Sequence, residues 1–317
     1  MGGPGFIEPQ LATLVSEPPE GEEWLHEVKF DGYRMECLIA EGSARLFTRR
    51  GLDWTERFPR VAERAAGLPA RRAVLDGEIV ALLPDGRSSF QALQQGLMSE
   101  RAHPVVYYVF DLLRLEAEDL RRLPLEERKR RLAALLKGRR DRTKTLRYSD
   151  HVSGDGARVW SQACDLGLEG TVAKRRDAPY QSGRTRSWLK IKCLNRQEFV
   201  VVGFTEPRGA RQGIGALLLG VYDGAGKLAY AGKVGTGMGD VALRSMARTL
   251  GALVRETPPV QGKPARGLAG VHWVEPKLVV EVAFTEWTDD GRLRHPSFLG
   301  LREDKPAKQV RRERPAR

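Results

Sequence analysis

The sequence predicts an α+β protein of antiparallel sheets with flanking helices, followed by a smaller β-barrel of the OB-fold type. Through the first two-thirds of the chain, strand-like segments follow one another without regular helical crossovers, which favours antiparallel sheets over a doubly wound sheet. After about Arg196 the order becomes three strands with glycine-rich turns, one helix and a further strand, as in a five-stranded OB-fold. A length of 317 residues also allows two domains.

Strands of the first part are predicted where apolar and β-branched residues lie between turn residues. These segments are Leu25–Tyr33, Arg45–Thr48, Ala73–Leu82, Val105–Leu112, Gly170–Lys174 and Ser187–Ile191. Helices are predicted at Ser89–Met98, Leu125–Lys137 and Gly156–Leu166. In Leu125–Lys137, four leucines share one face, and glutamate–arginine pairs spaced four apart occupy the exposed side, so we expect a structural helix there.

The second part has its own sequence of elements. Strands are predicted at Glu198–Thr205, Ala216–Tyr222, Leu228–Val234 and Leu278–Trp287, a helix at Asp240–Val254 and a loop at Thr257–Gly270. Two glycine-rich segments, Gly224–Lys227 and Gly235–Gly239, lack the spacing of a phosphate loop or a dinucleotide loop. We expect both to be hairpin turns.

Charge points to the class of partner. Lys plus Arg number 53 against 41 Asp plus Glu, a net charge of +12 with a pI near 9.8. This excess favours a polyanionic partner, and nucleic acid first among them. No signal peptide or membrane-spanning run is recognisable, and Cys37, Cys164 and Cys193 fit neither a disulfide framework nor a zinc pattern. We therefore expect a cytoplasmic, nucleoid-associated protein.

Lys29 is the most informative single residue. It lies in an apolar-alternating segment directly before Asp31-Gly32, and a strand that ends in such a turn presents its last side chains at a fixed place. Lysine can be deprotonated and can act as a nucleophile once neighbouring cations, a metal or burial lower its pKa. The alternative is a surface lysine beside a hairpin turn.

Further charged and aromatic residues interrupt predicted strands or stand at their ends. In chain order they are Arg49, Glu78, Phe110 with Asp111, Glu169, and Lys190 with Lys192. A charge within a strand is unfavourable unless it is paired, exposed or bound to a ligand. Charged residues recur within or at the ends of these predicted strands, which indicates a functional site.

In order and approximate spacing, these residues resemble the nucleotidyl-transfer motifs of ATP-dependent DNA ligases, which belong to the covalent nucleotidyltransferases. The chain is most similar to the ligase module of the bacterial end-joining enzyme ligase D. The resemblance runs from about Phe6 to Asp304 or Lys305. It implies an adenylation (nucleotidyltransferase) domain at residues 1–195 and an OB-fold domain with a basic tail at residues 196–317, with a hinge near Lys192–Gln197. Residues 311–317 are expected to be a disordered tail or a loose DNA contact.

The resemblance also implies a role for each site residue. Lys29 would be the nucleophile toward ATP, and Glu78 and Glu169 would bind Mg²⁺ or Mn²⁺, with a salt bridge to the neighbouring cations as the alternative for these two carboxylates. Phe110 would stack on adenine and Glu27 would lie at the base edge, with core packing and an ion pair as the respective alternatives. Further nucleotide contacts would come from Arg34, Arg49, Arg184, Lys190 and Lys192, and from Arg302, Asp304 and Lys305 in the last motif. A solvated charge cluster is the alternative for that last motif.

The implied function is sealing of nicks between 3′-hydroxyl and 5′-phosphate ends through a lysyl-AMP intermediate, in repair of double-strand breaks by bacterial non-homologous end joining. The partners implied are nicked or broken duplex DNA, Ku, and separate polymerase or end-processing proteins, for which 317 residues leave no room. We expect a monomer, either a standalone protein or an excised module, with no membrane contact. The alternatives are an RNA ligase, a capping-type nucleotidyltransferase, or a non-catalytic module that binds DNA ends.

Overall fold

The computed structural model describes residues 5–98, 103–137, 144–207, 213–261 and 270–316. The chain divides into two compact units. The first unit comprises Met1–Cys193 together with Arg314–Arg317, and the second comprises Leu194–Glu313. Among the described residues, no helix is long and apolar enough to cross a membrane.

The first unit contains eleven strands and four helices within its described residues. The strands are β1 (Gln10–Leu14), β2 (Trp24–Val28), β3 (Tyr33–Ala40), β4 (Ser43–Thr48), β5 (Arg72–Ala81), β6 (Val105–Leu115), β7 (Glu118–Asp119), β8 (Leu146–Tyr148), β9 (His151–Ser153), β10 (Gly170–Arg175) and β11 (Gly183–Lys192). The helices are α1 (Pro59–Ala66), α2 (Phe90–Met98), α3 (Leu125–Lys137) and α4 (Gly156–Asp165).

These strands form two sheets. Sheet A has the order β1-β11-β10-β2-β9, and sheet B has the order β4-β3-β5-β6-β7 with β8 added to β6. All pairs are antiparallel except β1 with β11 and β6 with β8. The predicted α+β class with antiparallel sheets is confirmed.

Hydrophobic packing buries some faces of the two sheets and leaves the other faces for a functional site. The larger core lies on one face of sheet B, against α1, α2 and α3. A second cluster joins residues of sheet B, such as Phe110 and Val74, to Trp188 of sheet A. Two sheets that share a buried cluster hold the side chains beside it at defined positions.

The segment from Lys29 to Gly32 differs from the prediction. We expected a strand over Leu25–Tyr33 and a possible hairpin turn at its end, but β2 ends at Val28 and β3 begins at Tyr33 in the other sheet. The four residues therefore cross from sheet A to sheet B. Asp31 accepts the Phe90 N–H at 3.0 Å, which ties the crossing to the start of α2.

The second unit is built around a third sheet. Its elements are β12 (Arg196–Thr205), β13 (Leu217–Tyr222), β14 (Leu228–Val234), α5 (Asp240–Gly251), β15 (Val254–Arg255), β16 (Val271–Val274), β17 (Val279–Ala283), β18 (Glu286–Trp287), β19 (Leu293–Arg294) and β20 (Ser297–Leu301). Sheet C has the order β14-β13-β12-β16-β15, with β17 between β12 and β20. The predicted order of three strands, one helix and further strands is confirmed.

Three predictions for smaller features differ from the structure or lie partly outside its described residues. Gly224–Lys227 does join antiparallel β13 and β14, but Gly235–Gly239 leads from β14 into α5 and is not a hairpin. Most of the predicted loop Thr257–Gly270 lies outside the described residues. The tail is not disordered through residue 316, since the Glu313 N–H donates to Gln197 Oε1 at 3.1 Å.

The cysteines also differ from the prediction. Cys164, in the last turn of α4, and Cys193, directly after β11, form a disulfide within the first unit. Cys37 is a free, buried thiol. Spacing in the sequence could not reveal the bridge, because 29 residues separate the two partners and their proximity depends on how α4 packs on sheet A.

Candidate active site

One face of sheet A carries four of the residues predicted to handle the nucleotide. Gly170 of β10 pairs with Lys192 of β11, and the Gly170 carbonyl accepts the Lys29 N–H at 2.9 Å. Two residues further along β10, Val172 lies between β2 and β11. Because side chains alternate along a strand and paired residues share a face, a common face presents Lys29, Lys192, Glu27 and Lys190.

The amine of Lys29 is in an ion pair with Glu169. Lys29 Nζ donates to Glu169 Oε1, and the glutamate side chain is only 5% exposed. The pair is local to the site, since Glu169 directly precedes β10 and Lys29 directly follows β2. An ion pair of this kind holds the ammonium form, which is not nucleophilic. A nucleophilic role for Lys29 would therefore require Glu169 to release the amine first.

Glu27 is buried and hydrogen-bonded through both carboxylate oxygens. Oε1 accepts from Lys129 Nζ at 2.7 Å, and Oε2 accepts from Lys174 Nζ at 3.0 Å and from Ser149 Oγ at 2.8 Å. Lys129 Nζ also donates to the Ser149 carbonyl at 3.0 Å. We refer to Glu27, Lys129, Lys174 and Ser149 as the Glu27 cluster. It links sheet A to α3.

Burial and charge act in opposite directions on this cluster. Burial alone would raise the pKa of Glu27, but the two neighbouring ammonium groups hold it below its usual value. Burial would lower the pKa of Lys129, yet Glu27 raises it overall. For Lys174, burial lowers the pKa to about 8, although attraction by Glu27 opposes the fall; repulsion by Lys129 adds to it. Lys174 is thus the group of this cluster that titrates nearest neutral pH.

Arg34 is anchored on sheet B. Its Nε and Nη2 donate to the two carboxylate oxygens of Asp76, each at 2.6 Å, and Nη2 also donates to the Gln10 carbonyl at 3.3 Å. Tyr180 Oη donates to the same carboxylate at 2.7 Å. Burial opposes the charge of Arg34, but Asp76 raises its pKa overall. Glu78 pairs with Arg34 in the register of β3 and β5, so its carboxylate lies beside this bidentate pair.

Phe110 lies in the buried cluster between the two sheets. Its ring packs edge-on against Trp188, with centroids 6.0 Å apart. Lys174 Nζ lies 4.1 Å from the ring centroid and Arg34 Cζ lies 4.6 Å from it, both within the range of cation–π attraction. Phe110 thus connects the charged residues of sheet A to those of sheet B.

The other two predicted arginines of the first unit lie toward its surface. Arg49 is half-buried in the turn after β4, which the Gly51 N–H closes on the Thr48 carbonyl at 2.7 Å. Arg184 is exposed and donates to the carbonyl of Ala12 on β1. Arg184 belongs to β11, which pairs with β1, whereas Arg49 directly follows the last residue of β4.

The three predicted residues of the last motif form ion pairs within the second unit. Arg302 donates to Asp304 through Nε at 2.9 Å and Nη2 at 3.0 Å, and to Glu281 through Nη1 at 2.8 Å. Burial opposes the charge of Arg302, but these carboxylates raise its pKa well above its usual value. Lys305 pairs with Glu198. The alternative of a solvated charge cluster does not describe these residues well, since Asp304 is 2% exposed.

The residues suited to a metal ion are few. In the described part of the chain, no group of three or more histidine, cysteine, aspartate or glutamate side chains could hold one. Glu78 and Glu169 nevertheless fit Mg²⁺, which is bound through one or two carboxylates while water and substrate phosphate complete its shell. A site of that kind would be completed by the nucleotide and would not be a closed protein cage.

Sequence reasoning missed two buried cations of α3 that bond to Asp111 and Glu27. Lys129 and Arg128 lie on a helix that patterning marked as structural, yet both are buried, and Arg128 donates to Asp111 at 2.8 and 2.9 Å. One signal was available. Neither Arg128 nor Lys129 has an acidic residue four positions before or after it. The intrahelical glutamate–arginine pairs therefore include neither of these two cations.

Comparison with known proteins gives the family. Residues 9–192 match the family described as "ATP dependent DNA ligase domain", and residues 210–305 match the "ATP dependent DNA ligase C terminal region". The Pseudomonas aeruginosa "Multifunctional non-homologous end joining protein LigD" is 48% identical over 99% of this chain and 37% of its own length. The LigD of Mycobacterium tuberculosis is 37% identical over 97% of this chain and 40% of its own length. The chain thus spans less than half the length of these relatives.

Solved structures agree. A structure described as "mycobacterial DNA ligase D complexed with ATP and MES" is 36% identical, with a TM-score of 0.73, and the match covers 97% of this chain and 98% of that one. The ligase domain of M. tuberculosis LigD has the same identity and coverage with a TM-score of 0.54. Both likenesses extend through the two units.

Proposed function

Because this chain belongs to the ATP-dependent DNA ligase family, we propose that it seals nicks in duplex DNA through an AMP group carried on Lys29. The observation that carries this assignment is the pairing of Lys29 with Glu169 on a sheet face that also presents Lys190 and Lys192. A nucleophilic amine, a metal-type carboxylate and phosphate-binding cations are what nucleotidyl transfer from ATP requires. The P. aeruginosa and mycobacterial relatives support DNA over RNA as the substrate.

Three phosphoryl transfers account for sealing. Lys29 Nζ, after losing a proton, forms a bond to the α-phosphorus of ATP as the bond to the bridging oxygen breaks and pyrophosphate leaves. The AMP then passes to the 5′-phosphate at the nick, which frees Lys29. The 3′-hydroxyl finally attacks that 5′-phosphorus, and AMP leaves. Each step is an in-line displacement, so the protein contributes mainly position and charge neutralisation.

Glu169 and Glu78 have distinct parts in the first step. When bound by these carboxylates, Mg²⁺ or Mn²⁺ would neutralise charge developing on the phosphates. Glu169 in this structure holds the ammonium form of Lys29, and its carboxylate must turn away for the amine to lose its proton. The position of Lys190 and Lys192 on the same sheet face supports a role in binding the phosphates that Lys29 would attack.

We propose that the base binds beside Phe110 and Glu27. We assign the adenine ring to Phe110, whose ring lies beside Lys174, and the base edge to Glu27. Three of the four lone-pair positions of the Glu27 carboxylate are taken by the Glu27 cluster, which leaves one for an amino group of the base. Arg34, Arg49 and Arg184 would contact the ribose and phosphates.

The second unit would act on the triphosphate and on DNA. Arg302 and Lys305 must exchange Glu281 and Glu198 for phosphate if they are to orient the leaving pyrophosphate, while Asp304 would hold the Arg302 guanidinium. The boundary between the units follows Cys193, within the Lys192–Gln197 segment proposed as a hinge. We propose residues 1–195 as the adenylation domain and residues 196–317 as the OB-fold domain; contacts within the structure group Arg314–Arg317 with the first unit.

The biological setting is also a proposal. The relatives named for non-homologous end joining support a role in rejoining broken chromosomes, with Ku and separate polymerase or end-processing proteins as partners. The net charge of +12 suits a monomer that contacts the DNA backbone at several phosphates. The mycobacterial ligase D that was solved with ATP supports ATP as the nucleotide.

Substitution of the nucleophile tests the proposed activity. Lys29→Ala should abolish sealing of a singly nicked duplex with ATP and Mg²⁺, because no other amine replaces it, while affinity for the same duplex should change less than about threefold. Sealing would be measured on a denaturing gel and binding by fluorescence anisotropy. Lys137→Ala, an exposed lysine at the end of α3, is the matched control. Unchanged sealing by Lys29→Ala would overturn the proposal.

A further inference from the structure

The disulfide between Cys164 and Cys193 lies next to the backbone of Glu169. Cys193 directly follows Lys192, and its N–H donates to the carbonyl of Glu169 at 3.0 Å. Cys164 lies only five residues before Glu169. The sulfur bridge therefore connects the two chain segments that meet at the Glu169 backbone, at a Cα–Cα distance of 5.2 Å.

The bridge closes a small ring around Glu169. From Cys164 the chain turns back at the end of α4, where the Gly167 N–H donates to the Cys164 carbonyl at 2.9 Å and Gly167 has a φ of +68°. It continues through Leu168 to Glu169, crosses by one hydrogen bond to Cys193, and returns through the disulfide. With the bridge closed, the Glu169 backbone is held covalently on one side and by a hydrogen bond on the other. With the bridge open, hydrogen bonds alone restrain this segment.

We propose that Cys164 and Cys193 form a reversible thiol–disulfide site that positions Glu169, so that the oxidised pair favours metal-dependent adenylation and the reduced pair weakens it. This inference rests on the proposed role of Glu169 as a metal ligand. Groups that orient a metal ligand from behind contribute strongly to metal affinity. The reductant would be a small dithiol or a protein dithiol. Its two thiols become a disulfide, the Cys164–Cys193 bond breaks, and two electrons and two protons pass to the two cysteine sulfurs.

Accessibility separates this pair from the third cysteine. Cys164 and Cys193 are both partly exposed, so a thiolate can reach the bridge. Cys37 is completely buried in β3, and burial raises the pKa of its thiol to about 12, which leaves it unreactive at neutral pH. Cys37 therefore serves as an internal reference for thiol counting.

Two readouts test the proposal on the whole protein. The protein would be equilibrated in dithiothreitol or in its oxidised cyclic form, with maleimide labelling and mass spectrometry to count reactive thiols. Hydrogen exchange of residues 166–169, without ATP or metal, should be roughly 3- to 10-fold faster after reduction, while β13 in the second unit stays unchanged. The Mg²⁺ concentration that half-saturates lysyl-AMP formation should rise roughly 3- to 10-fold. This change is smaller than the loss of metal affinity that follows removal of a group that orients a metal ligand.

Variants keep the test decisive. Cys164→Ser/Cys193→Ser should behave like the reduced protein in both buffers, and Cys37→Ala should keep the wild-type response. Two reactive thiols in the oxidised buffer, or equal exchange and equal Mg²⁺ dependence in both buffers, would overturn the inference, even with a lowered melting temperature. Absence of lysyl-AMP in both states would instead contradict the proposed role of Lys29, and the exchange measurement would still decide whether the bridge restrains Glu169.

Discussion

At the scale of single residues, Lys129 shows how a buried charge is held at the site. Its ammonium is 1% exposed, and it bonds to a carboxylate 102 residues earlier in the chain. Removal of one partner leaves the other charge buried and unpaired, which is more unfavourable than the pair itself is favourable. The role of Lys129 is therefore to keep Glu27 ionised and fixed in place.

Lys129→Met should lower the free energy of unfolding by about 3 kcal/mol or more, because Glu27 would keep only Lys174 and Ser149 as partners. Urea unfolding at pH 7 would measure it. Lys137→Met, on the exposed end of the same helix, should change stability by less than about 0.5 kcal/mol. Adding Glu27→Gln to Lys129→Met should restore part of the loss. Equal effects of the two lysine substitutions would contradict the account.

Glu36 predicts a pH dependence of stability. Burial raises the pKa of this carboxyl to about 8, although the Ile7 N–H donates to it, and Asp76 adds to the rise. The folded state thus holds a proton on Glu36 that the unfolded state releases near pH 4.5. The contribution of protonated Glu36 to the stability of the folded state is complete below pH 4.5 and is lost as pH rises through about 8.

Glu36→Gln, which resembles the protonated form, should therefore gain stability relative to the wild type as pH rises from 5 to 8.5. The gain should have a slope of at most about 1.4 kcal/mol per pH unit. Guanidinium unfolding of both proteins across that range gives the difference directly, and other titrating groups cancel in it. A difference that stays constant, or that shrinks with rising pH, would show that Glu36 is not buried in its protonated form.

At the scale of elements, the crossing from β2 to β3 determines where Lys29 is placed. A Cβ on Gly32 would lie 2.0 Å from the Ile79 carbonyl oxygen on β5, so no other residue fits without moving the crossing. Asp31 fixes the same segment to the start of α2. Glycine is needed here for close approach of two backbones and not for an unusual φ.

Gly32→Ala should destabilise the protein by roughly 1–3 kcal/mol and should slow adenylation more than this loss of stability explains, because the displaced crossing carries Lys29 with it. Single-turnover adenylation with labelled ATP, well below the melting temperature, separates the two effects. Gly224→Ala, where nothing lies within 4 Å of the added Cβ, is the control. An alanine variant with normal adenylation would mean that Lys29 is not positioned by this crossing.

At the scale of the whole molecule, the sequence could predict what depends on local pattern. Lys29, Glu78, Glu169, Lys190 and Lys192 were predicted in order because each charge interrupts or ends a strand. Leu125–Lys137 was predicted within its observed bounds because its leucines follow a helical period. The α+β class and the barrel-type order of the second unit follow from the same local signals.

What could not be predicted depends on which distant segments meet. Asp31-Gly32 has the composition of a hairpin turn, and only sheet pairing shows that β2 and β3 lie in different sheets. The bond from Lys129 to Glu27 and the Cys164–Cys193 bridge are set by how α3 and α4 pack on the sheets. The ion pairs of Arg302 with Glu281 arise because β17 and β20 are neighbours, which spacing alone does not show.

The most direct test of the account is the site of covalent AMP. Purified protein would be stripped of nucleotide, incubated with ATP and Mg²⁺, digested, and analysed by tandem mass spectrometry, with acid lability and alkali stability of the adduct checked in parallel. The account predicts one AMP group in phosphoramidate linkage to Lys29, and none in the Lys29→Ala protein. An unmodified Lys29 peptide, or AMP attached to a different residue, would contradict it.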